Sequence, residues 1–149
     1  MLNEISSIGP LLKKIYRHYS HELHLQLEAK GYKDLTPGIV EVLIFIVENE
    51  GVSIKYIGTS LGLKKQTMTS HINELIIRGY VQKKTSTEDR RAQNIYLSEL
   101  GIRFKHCLHE IVLNVEDGYQ QILGSIELKR FNLILEKIFQ KIESKDRLL

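Results

Sequence analysis

The sequence is poor in residue types on which several protein classes depend. Its 149 residues include a single cysteine, Cys107, and no tryptophan. One cysteine excludes an internal disulfide framework and argues against a zinc site built from cysteines, and it suits a reducing compartment. We expect the Cys107 thiol to pack among apolar side chains, because free cysteines are usually buried and inert.

Long apolar runs are also missing. The longest, Ile39–Val47, is interrupted by Glu41, whereas a membrane-spanning helix needs about 20 apolar residues. The N-terminus lacks the pattern of a signal peptide, because Lys13 and Lys14 follow the first apolar residues instead of preceding them. We therefore expect a cytoplasmic protein that has no membrane partner.

Enzyme signatures are absent as well. The sequence contains no H-E-x-x-H, G-x-S-x-G, G-x-G-x-x-G or P-loop motif, so we expect no catalysis and no cofactor. The hydrophobic fraction of 42% and the charged fraction of 26% are ordinary for a globular protein. The length and composition predict one domain over residues 1–149.

Positive charge is concentrated in the middle of the chain. Residues 51–98 carry eight Lys or Arg and three acidic residues, a net charge of +5, and the rest of the chain has a net charge of −2. A localised basic block is typical of a surface that contacts phosphates. A solvated lysine-rich surface would give the same charge, so charge alone leaves both interpretations open.

Hydrophobic spacing predicts long helices at both ends of the chain. A first helix is expected over Asn3–Lys30, and a later one after Ser98, which is placed to cap it. Gly124 and Ser125 break the pattern before a last helix, whose apolar positions follow a 3-4-3-4 spacing typical of a coiled-coil contact. A small central domain cannot cover all these apolar stripes, so we expect the terminal helices to pair in a homodimer.

The middle of the chain predicts a helix-turn-helix followed by a hairpin. Thr36 and Pro37 begin a buried helix, Ser53 caps a short helix, and a second helix is expected over Lys65–Arg78. After Gly79 the period changes to that of strands, with two short strands predicted over residues 80–84 and 94–97. The fold class is therefore mainly α with a small β-hairpin wing: a winged helix-turn-helix flanked by N- and C-terminal dimerisation helices.

The exposed face of the second helix carries side chains that can read base edges. Gln66, Thr69, Ser70 and Asn73 donate and accept hydrogen bonds, and the major groove of DNA accommodates one α-helix. Lys64 and Lys65 stand at the start of this helix, where the helix dipole also favours phosphate. The polar loop between the strands carries Arg90 and Arg91, which can reach an adjacent minor groove. This arrangement favours double-stranded DNA as the partner.

The same residues resemble the MarR family of winged helix-turn-helix transcriptional regulators. The wing carries Asp89-Arg90-Arg91, then Leu97-Ser98 and Gly101, matching the family's D-x-R…L-[ST]-x-x-G signature. The segment KKQTMTSHINELIIRGYV (64–81) is similar to its recognition helix and first wing strand. Many members have Ser or Thr in place of Lys64 and Arg in place of Ser70.

The resemblance implies a role for particular residues and for the assembly. Asp89 would brace the wing by pairing with a nearby arginine, and Arg91 would enter the minor groove. The full set of DNA-binding residues that we predict is Lys64, Lys65, Gln66, Thr67, Thr69, Ser70, Asn73, Lys84, Arg90 and Arg91. The family is typically dimeric and represses promoters until a small anionic or phenolic effector binds. The predicted DNA-binding part is 33–98, and the predicted dimerisation helices lie in 1–32 and 99–149.

Two other interpretations stay open. His18, His21 and His24 recur every three residues on the first helix, and His106 and His109 do so on the fifth. Histidines one turn apart can bind Zn²⁺, so a zinc-responsive regulator of the same fold is one alternative, although solvated histidines are the simpler expectation and we predict no metal. A protein-interaction adaptor that uses the terminal helices is the other, and it predicts no affinity for duplex DNA.

Overall fold

The structure, a computed structural model, describes residues 8–146. Within them the chain forms six helices and one two-stranded sheet. In chain order these elements are α1 (Ile8–Ala29), α2 (Pro37–Glu48), α3 (Ile54–Leu61), α4 (Lys65–Ile77), β1 (Val81–Thr85), β2 (Gln93–Leu97), α5 (Glu99–Leu123) and α6 (Ser125–Asp146). The predicted fold class, mainly helical with a hairpin wing, is confirmed.

The chain divides into two compact units, and the boundary lies inside α5. The first unit ends at Ile111 and contains α1 to α4, the hairpin and the first half of α5. The second begins at Val112 and contains the rest of α5 together with α6. No helix among the described residues is long and apolar enough to cross a membrane.

Helix α2 lies at the centre of the first unit. Val42, Leu43 and Ile46 are completely buried, as its nearly uninterrupted apolar sequence predicts. The helix packs against both α3 and α4, so it forms the floor on which the helix-turn-helix is built.

Two helices start at capping residues that the sequence indicates, but the two caps differ. Ser53 precedes α3, and its hydroxyl oxygen accepts a hydrogen bond of 3.1 Å from the backbone N–H of Tyr56. Thr36 precedes α2 in the same extended conformation, with Pro37 as the first helical residue, yet its side chain makes no capping hydrogen bond within the described structure. Only the first of these caps therefore contributes the hydrogen bond that normally stabilises a helix start.

The wing is anchored along the edge of β2 that faces away from β1. The two strands pair antiparallel, from Val81 opposite Leu97 to Thr85 opposite Gln93. On the other edge, Gly51 donates to Ile95 and Ile95 donates to Val52, at 2.8 and 2.9 Å. The hairpin is thus joined by backbone hydrogen bonds to the segment that leads into α3.

A clasp at the base of the wing holds the end of α4 against the start of α5. The backbone N–H of Ser98 donates to the Tyr80 carbonyl at 3.0 Å, and its hydroxyl donates to the carbonyl of Gly79. The same hydroxyl accepts from the N–H of Gly101 at 3.1 Å, which makes Ser98 the predicted cap of α5. We refer to these four residues, Gly79, Tyr80, Ser98 and Gly101, as the corner clasp.

The apolar stripes of the terminal helices are buried over only part of their length. The spacing of apolar residues predicts one stripe on the first helix, made of Ile5, Ile8, Leu12, Ile15, Tyr19, Leu23 and Leu27. Of these, Leu23 and Leu27 are buried, whereas Ile8, Leu12 and Ile15 are exposed. The predicted start at Asn3 and the stripe residue Ile5 lie outside the described residues. The stripe predicted for α5 consists of Phe104, Leu108, Ile111, Val115, Tyr119 and Ile122. It is buried from Phe104 to Val115, but Ile122 is 78% exposed. Ser125 is the first helical residue of α6 and does not precede the helix as predicted.

Candidate nucleic-acid interface

Helix α4 has one buried face and one polar exposed face. The buried face consists of Met68, Ile72 and Leu75. The opposite face presents a shallow concave surface lined by Lys65, Gln66, Thr69, Ser70, Asn73 and Glu74. Five of these six are residues predicted to bind DNA; the sixth, Glu74, is occupied by an ion pair of 3.0 Å with Arg78. The exposed face is thus dominated by hydrogen-bonding groups of the kind that read bases.

A tight turn sets the position of α4 relative to α3. Gly62 adopts the left-handed conformation at φ +65°, which favours glycine. Its neighbour Leu63 donates a backbone hydrogen bond of 2.9 Å to Gly58. A side chain added at Gly58 would lie 3.3 Å from Cγ of Met68, so the two helices approach closely at this point. This close packing fixes the start of α4 relative to α3.

The start of α4 carries two lysines. Lys64 occupies the N-cap position without a side-chain cap, and Lys65 is the first helical residue. Both side chains are exposed, as are those of Gln66 and Thr67. The helix start therefore combines two positive charges with the positive end of the helix dipole.

A groove of about 830 Å³ separates the helix-turn-helix from the wing. Four of the side chains that line it are cationic: Lys55 from α3, Lys65 from α4, Lys83 from β1 and Arg91 from the wing loop. Asp89 is the acidic residue among the lining side chains. The groove is thus a basic channel that borders α4.

Lys55 and Lys83 are functional candidates that the sequence analysis missed. Alternation along a strand would have identified Lys83, because successive side chains point to opposite faces of a sheet. Lys83 pairs with Ile95 and lines the groove, whereas the predicted residue Lys84 belongs to the other face. Lys55 follows the cap Ser53 by two residues, in the first turn of α3, and no motif marks it.

The wing loop is ordered by Asp89. Its carboxylate accepts a 2.9 Å hydrogen bond from the backbone N–H of Arg91, and its carbonyl accepts one from Ala92 at 3.0 Å. The expected pairing of this carboxylate with an arginine side chain is not found among the described contacts, so Asp89 braces the loop through the backbone. Arg90 is exposed and, unlike Arg91, does not line the groove.

The end of α4 is tied to the loop before α2. Arg78 donates at 3.0 Å to Asp34 and at 3.0 Å to Glu74. Tyr80 lies next to this cluster, packed against the rings of Tyr32 and Phe104 at centroid distances of 6.2 and 5.9 Å. Burial, followed by the negative charge of Asp34, raises the pKa of Tyr80 to about 12. These contacts fix the position of the C-terminal end of α4.

The zinc-responsive alternative depends on the arrangement of the histidines. Among residues 8–146, no cluster of three or more His, Cys, Asp or Glu side chains is arranged to hold a metal ion. His24 is engaged by Glu28, with Nε2 and Oε1 3.2 Å apart. Cys107 is half-buried, and this burial raises the pKa of its thiol. A raised pKa favours the protonated thiol, which is a poor nucleophile and metal ligand.

A short helix, a glycine turn, a polar-faced helix and a basic hairpin, joined in this order, define a winged helix-turn-helix. The model of the MarR family matches residues 33–92, which cover this segment up to the wing loop. This part of the chain is thus similar to the MarR family, and the resemblance drawn from the sequence is confirmed.

One curated relative shows the same similarity. The chain is 36% identical, over 78 residues, to the HTH-type transcriptional regulator SarZ of Staphylococcus haemolyticus, a match that covers 52% of this chain and 53% of SarZ. The chain therefore spans about half the length of that curated relative.

Solved structures show the same fold. A crystal structure of MarR superposes with a TM-score of 0.85 at 17% identity, covering 100% of this chain and 99% of that one. A cysteine-to-serine mutant of MarR from E. coli, complexed with operator DNA, superposes with a TM-score of 0.75 at 20% identity, covering 91% of this chain and 96% of that one.

Proposed function

We propose that the protein is a homodimeric, sequence-specific regulator of transcription that binds a pseudo-palindromic site in double-stranded DNA. The observation that carries the proposal is the exposed hydrogen-bonding face of α4 beside a groove lined by four cations. Such a regulator acts where the DNA is, in the cytoplasm. The solved MarR complex with operator DNA supports the proposal, because it has the same fold.

Each part of the interface has a distinct task in this proposal. Gln66, Thr69, Ser70 and Asn73 read base edges in the major groove, where bidentate contacts discriminate between bases. Lys64 and Lys65 contact phosphates at the helix start, and Thr67 lies beside them. Arg90 and Arg91 reach the minor groove from the wing loop, and Lys84 approaches the phosphate backbone of the DNA. Asp89 maintains the conformation of the wing loop.

The terminal helices supply the dimer interface in this proposal. In α1, Ile8, Leu11, Leu12, Ile15 and Tyr16 are all exposed in the isolated chain. In α6, exposed apolar side chains occur at Phe131, Ile134, Ile138, Phe139 and Ile142. Contiguous apolar surface of this kind marks an interaction site. We propose that residues 33–98 bind DNA and that residues 1–32 and 99–149 form the dimer.

Pairing through the terminal helices gives the two recognition helices a defined separation. A twofold dimer that reads successive major grooves places them about 34–36 Å apart. We propose that a small anionic or phenolic effector favours a dimer with a different separation, lowers operator affinity and relieves repression. This is a population shift, in which the effector acts through its preference for one of two arrangements.

Selection of bound fragments from random duplex DNA tests the core of the proposal. We expect a recovered consensus with two inverted half-sites whose centres lie one helical turn apart. Gln66→Ala should blunt the preference at one position of each half-site, whereas Arg91→Ala should weaken binding to all fragments.

Two outcomes would contradict the proposal. The adaptor alternative predicts that no fragment is enriched above the input library. Binding by Gln66→Ala and Arg91→Ala that equals the parent would show that α4 and the wing are not the reading elements. Sedimentation analysis tests the dimer separately: a 17.3 kDa species alone, at micromolar protein, would exclude it.

A further inference from the structure

Lys84 is held by an aromatic ring on the outer face of the wing. Its Nζ lies 4.8 Å from the centroid of the Tyr96 ring, within the range of a cation–π interaction. The pairing register explains this contact: Tyr96 pairs with Gln82 and Lys84 pairs with Asn94, so Lys84 and Tyr96 are diagonal neighbours on one face of the hairpin. The other face carries Lys83 and turns toward the basic groove.

The position of the Tyr96 ring is itself fixed by the backbone. A side chain added at Gly51 would lie 3.3 Å from Cε1 of Tyr96, so the ring rests against that glycine. Gly51 has a φ of +89° and donates a 2.8 Å hydrogen bond to Ile95, which joins it to β2. The aromatic platform under Lys84 is therefore part of the rigid base of the wing.

We propose that Tyr96 is a positioning residue that holds the Lys84 ammonium against a backbone phosphate of the bound duplex. This inference rests on the proposed DNA-binding function. When the wing loop enters a minor groove, the two faces of the hairpin turn toward the two strands that border that groove. Lys83 and the basic groove serve the strand on the side of α4, and Lys84 serves the strand on the opposite side.

The chemistry of an ammonium group allows both contacts at once. It has three N–H donors; the ring covers one side of it, which leaves donors free to reach a phosphate oxygen. A flexible lysine loses rotamer freedom when it binds. Because the Tyr96 ring already confines Lys84 in the free protein, less of that freedom remains to be lost in the complex.

The contact is first tested in the free protein. In the NMR spectrum, the ring current of Tyr96 should shift the side-chain protons of Lys84 nearest the ammonium upfield. The shift should persist in Tyr96→Phe and vanish in Tyr96→Leu. A Lys84 signal at the position of an ordinary solvated lysine in the parent would overturn the inference.

A double-mutant cycle then tests the role in DNA binding, with a duplex that the parent recognises. Lys84→Met keeps an unbranched side chain of similar length without the charge, and it should reduce the slope of log affinity against log salt by about 0.9 per protomer. Tyr96→Leu should weaken binding about two- to fivefold per protomer, and Tyr96→Phe should bind like the parent. In the Lys84→Met background, Tyr96→Leu should have no further effect.

The outcomes separate this inference from the proposed function. Tyr96→Leu binding as tightly as the parent, or more tightly, would mean that the ring does not help Lys84 reach phosphate. An equal loss with and without Lys84 would mean that Tyr96 acts only on the fold of the wing. Either result overturns the inference while the parent still binds DNA, whereas a parent that binds no duplex overturns both.

Discussion

Gly101 and Gly118 lie in the same helix and should respond to alanine in opposite ways. A Cβ at Gly101 would lie 2.2 Å from the carbonyl oxygen of Tyr80 and 3.1 Å from the Leu97 side chain. Because the nearest atom belongs to the backbone, α5 and the Tyr80 corner would have to separate by about 1 Å to restore ordinary contact. At Gly118 the same atom would meet nothing within 4 Å.

The magnitudes follow from these two environments. Replacing a helical glycine by alanine raises the free energy of unfolding by about 0.5–1 kcal/mol, because glycine loses more backbone conformational entropy on folding. At Gly101 that gain is outweighed by overpacking of about 1–3 kcal/mol and by weaker hydrogen bonds in the corner clasp, each worth about 1 kcal/mol. We expect Gly101→Ala to lose about 2 kcal/mol of unfolding free energy and Gly118→Ala to gain about 0.5–1 kcal/mol.

Urea unfolding followed by circular dichroism measures both variants. Protein concentration is held fixed, because a dimer gains stability by mass action. In thermal melts the Gly101→Ala loss corresponds to a Tm about 4–8 °C lower. If Gly101→Ala proves as stable as the parent, the close approach of Gly101 to the Tyr80 carbonyl is wrong.

Three further predictions concern the first unit. Ser53→Ala should cost about 1 kcal/mol of unfolding free energy because it removes the cap on Tyr56, whereas Thr36→Ala should cost clearly less; equal losses in urea melts would contradict the difference between the caps. Ile72→Ala should cost about 2–5 kcal/mol because it empties a completely buried site beneath α4, and a change under about 1 kcal/mol in the same assay would contradict that burial. The pKa of Tyr80 is about 12 in the folded protein and has the ordinary value of 10.0 in the unfolded chain. The neutral hydroxyl therefore contributes stability that is present below pH 10 and is lost as the pH rises toward about 12. Unfolding measured across this range should show a shallower alkaline loss for Tyr80→Phe than for the parent; parallel curves would contradict the assignment.

The sequence was sufficient for the order and type of the elements because their signals are local. Ser53, Gly62 and Gly79 mark a cap, a turn and a stop through their own backbone preferences, and the structure places each in that role. The signature glycine Gly101 could be recognised from the sequence, but its reason could not. Only the structure shows that the Tyr80 carbonyl occupies the space a side chain would need.

The candidate interface was less accessible to sequence reasoning because it depends on which face each side chain takes. Adjacent lysines Lys83 and Lys84 look equivalent in the sequence, yet the strand turns them to opposite faces. The contact of Asp89 with the Arg91 backbone, in place of an arginine side chain, is likewise a property of the loop geometry. Lys55 joins the groove through the packing of α3 against the wing, which no local pattern encodes.

The salt dependence of duplex affinity tests the central claim most directly. With Lys55, Lys64, Lys65 and Lys83 each neutralising one phosphate, a dimer makes eight such contacts, and with Lys84 it makes ten. The slope of log affinity against log salt should then lie between about −7 and −9. A slope near zero, or no binding to any duplex at low salt, would show that the basic groove beside α4 does not hold DNA.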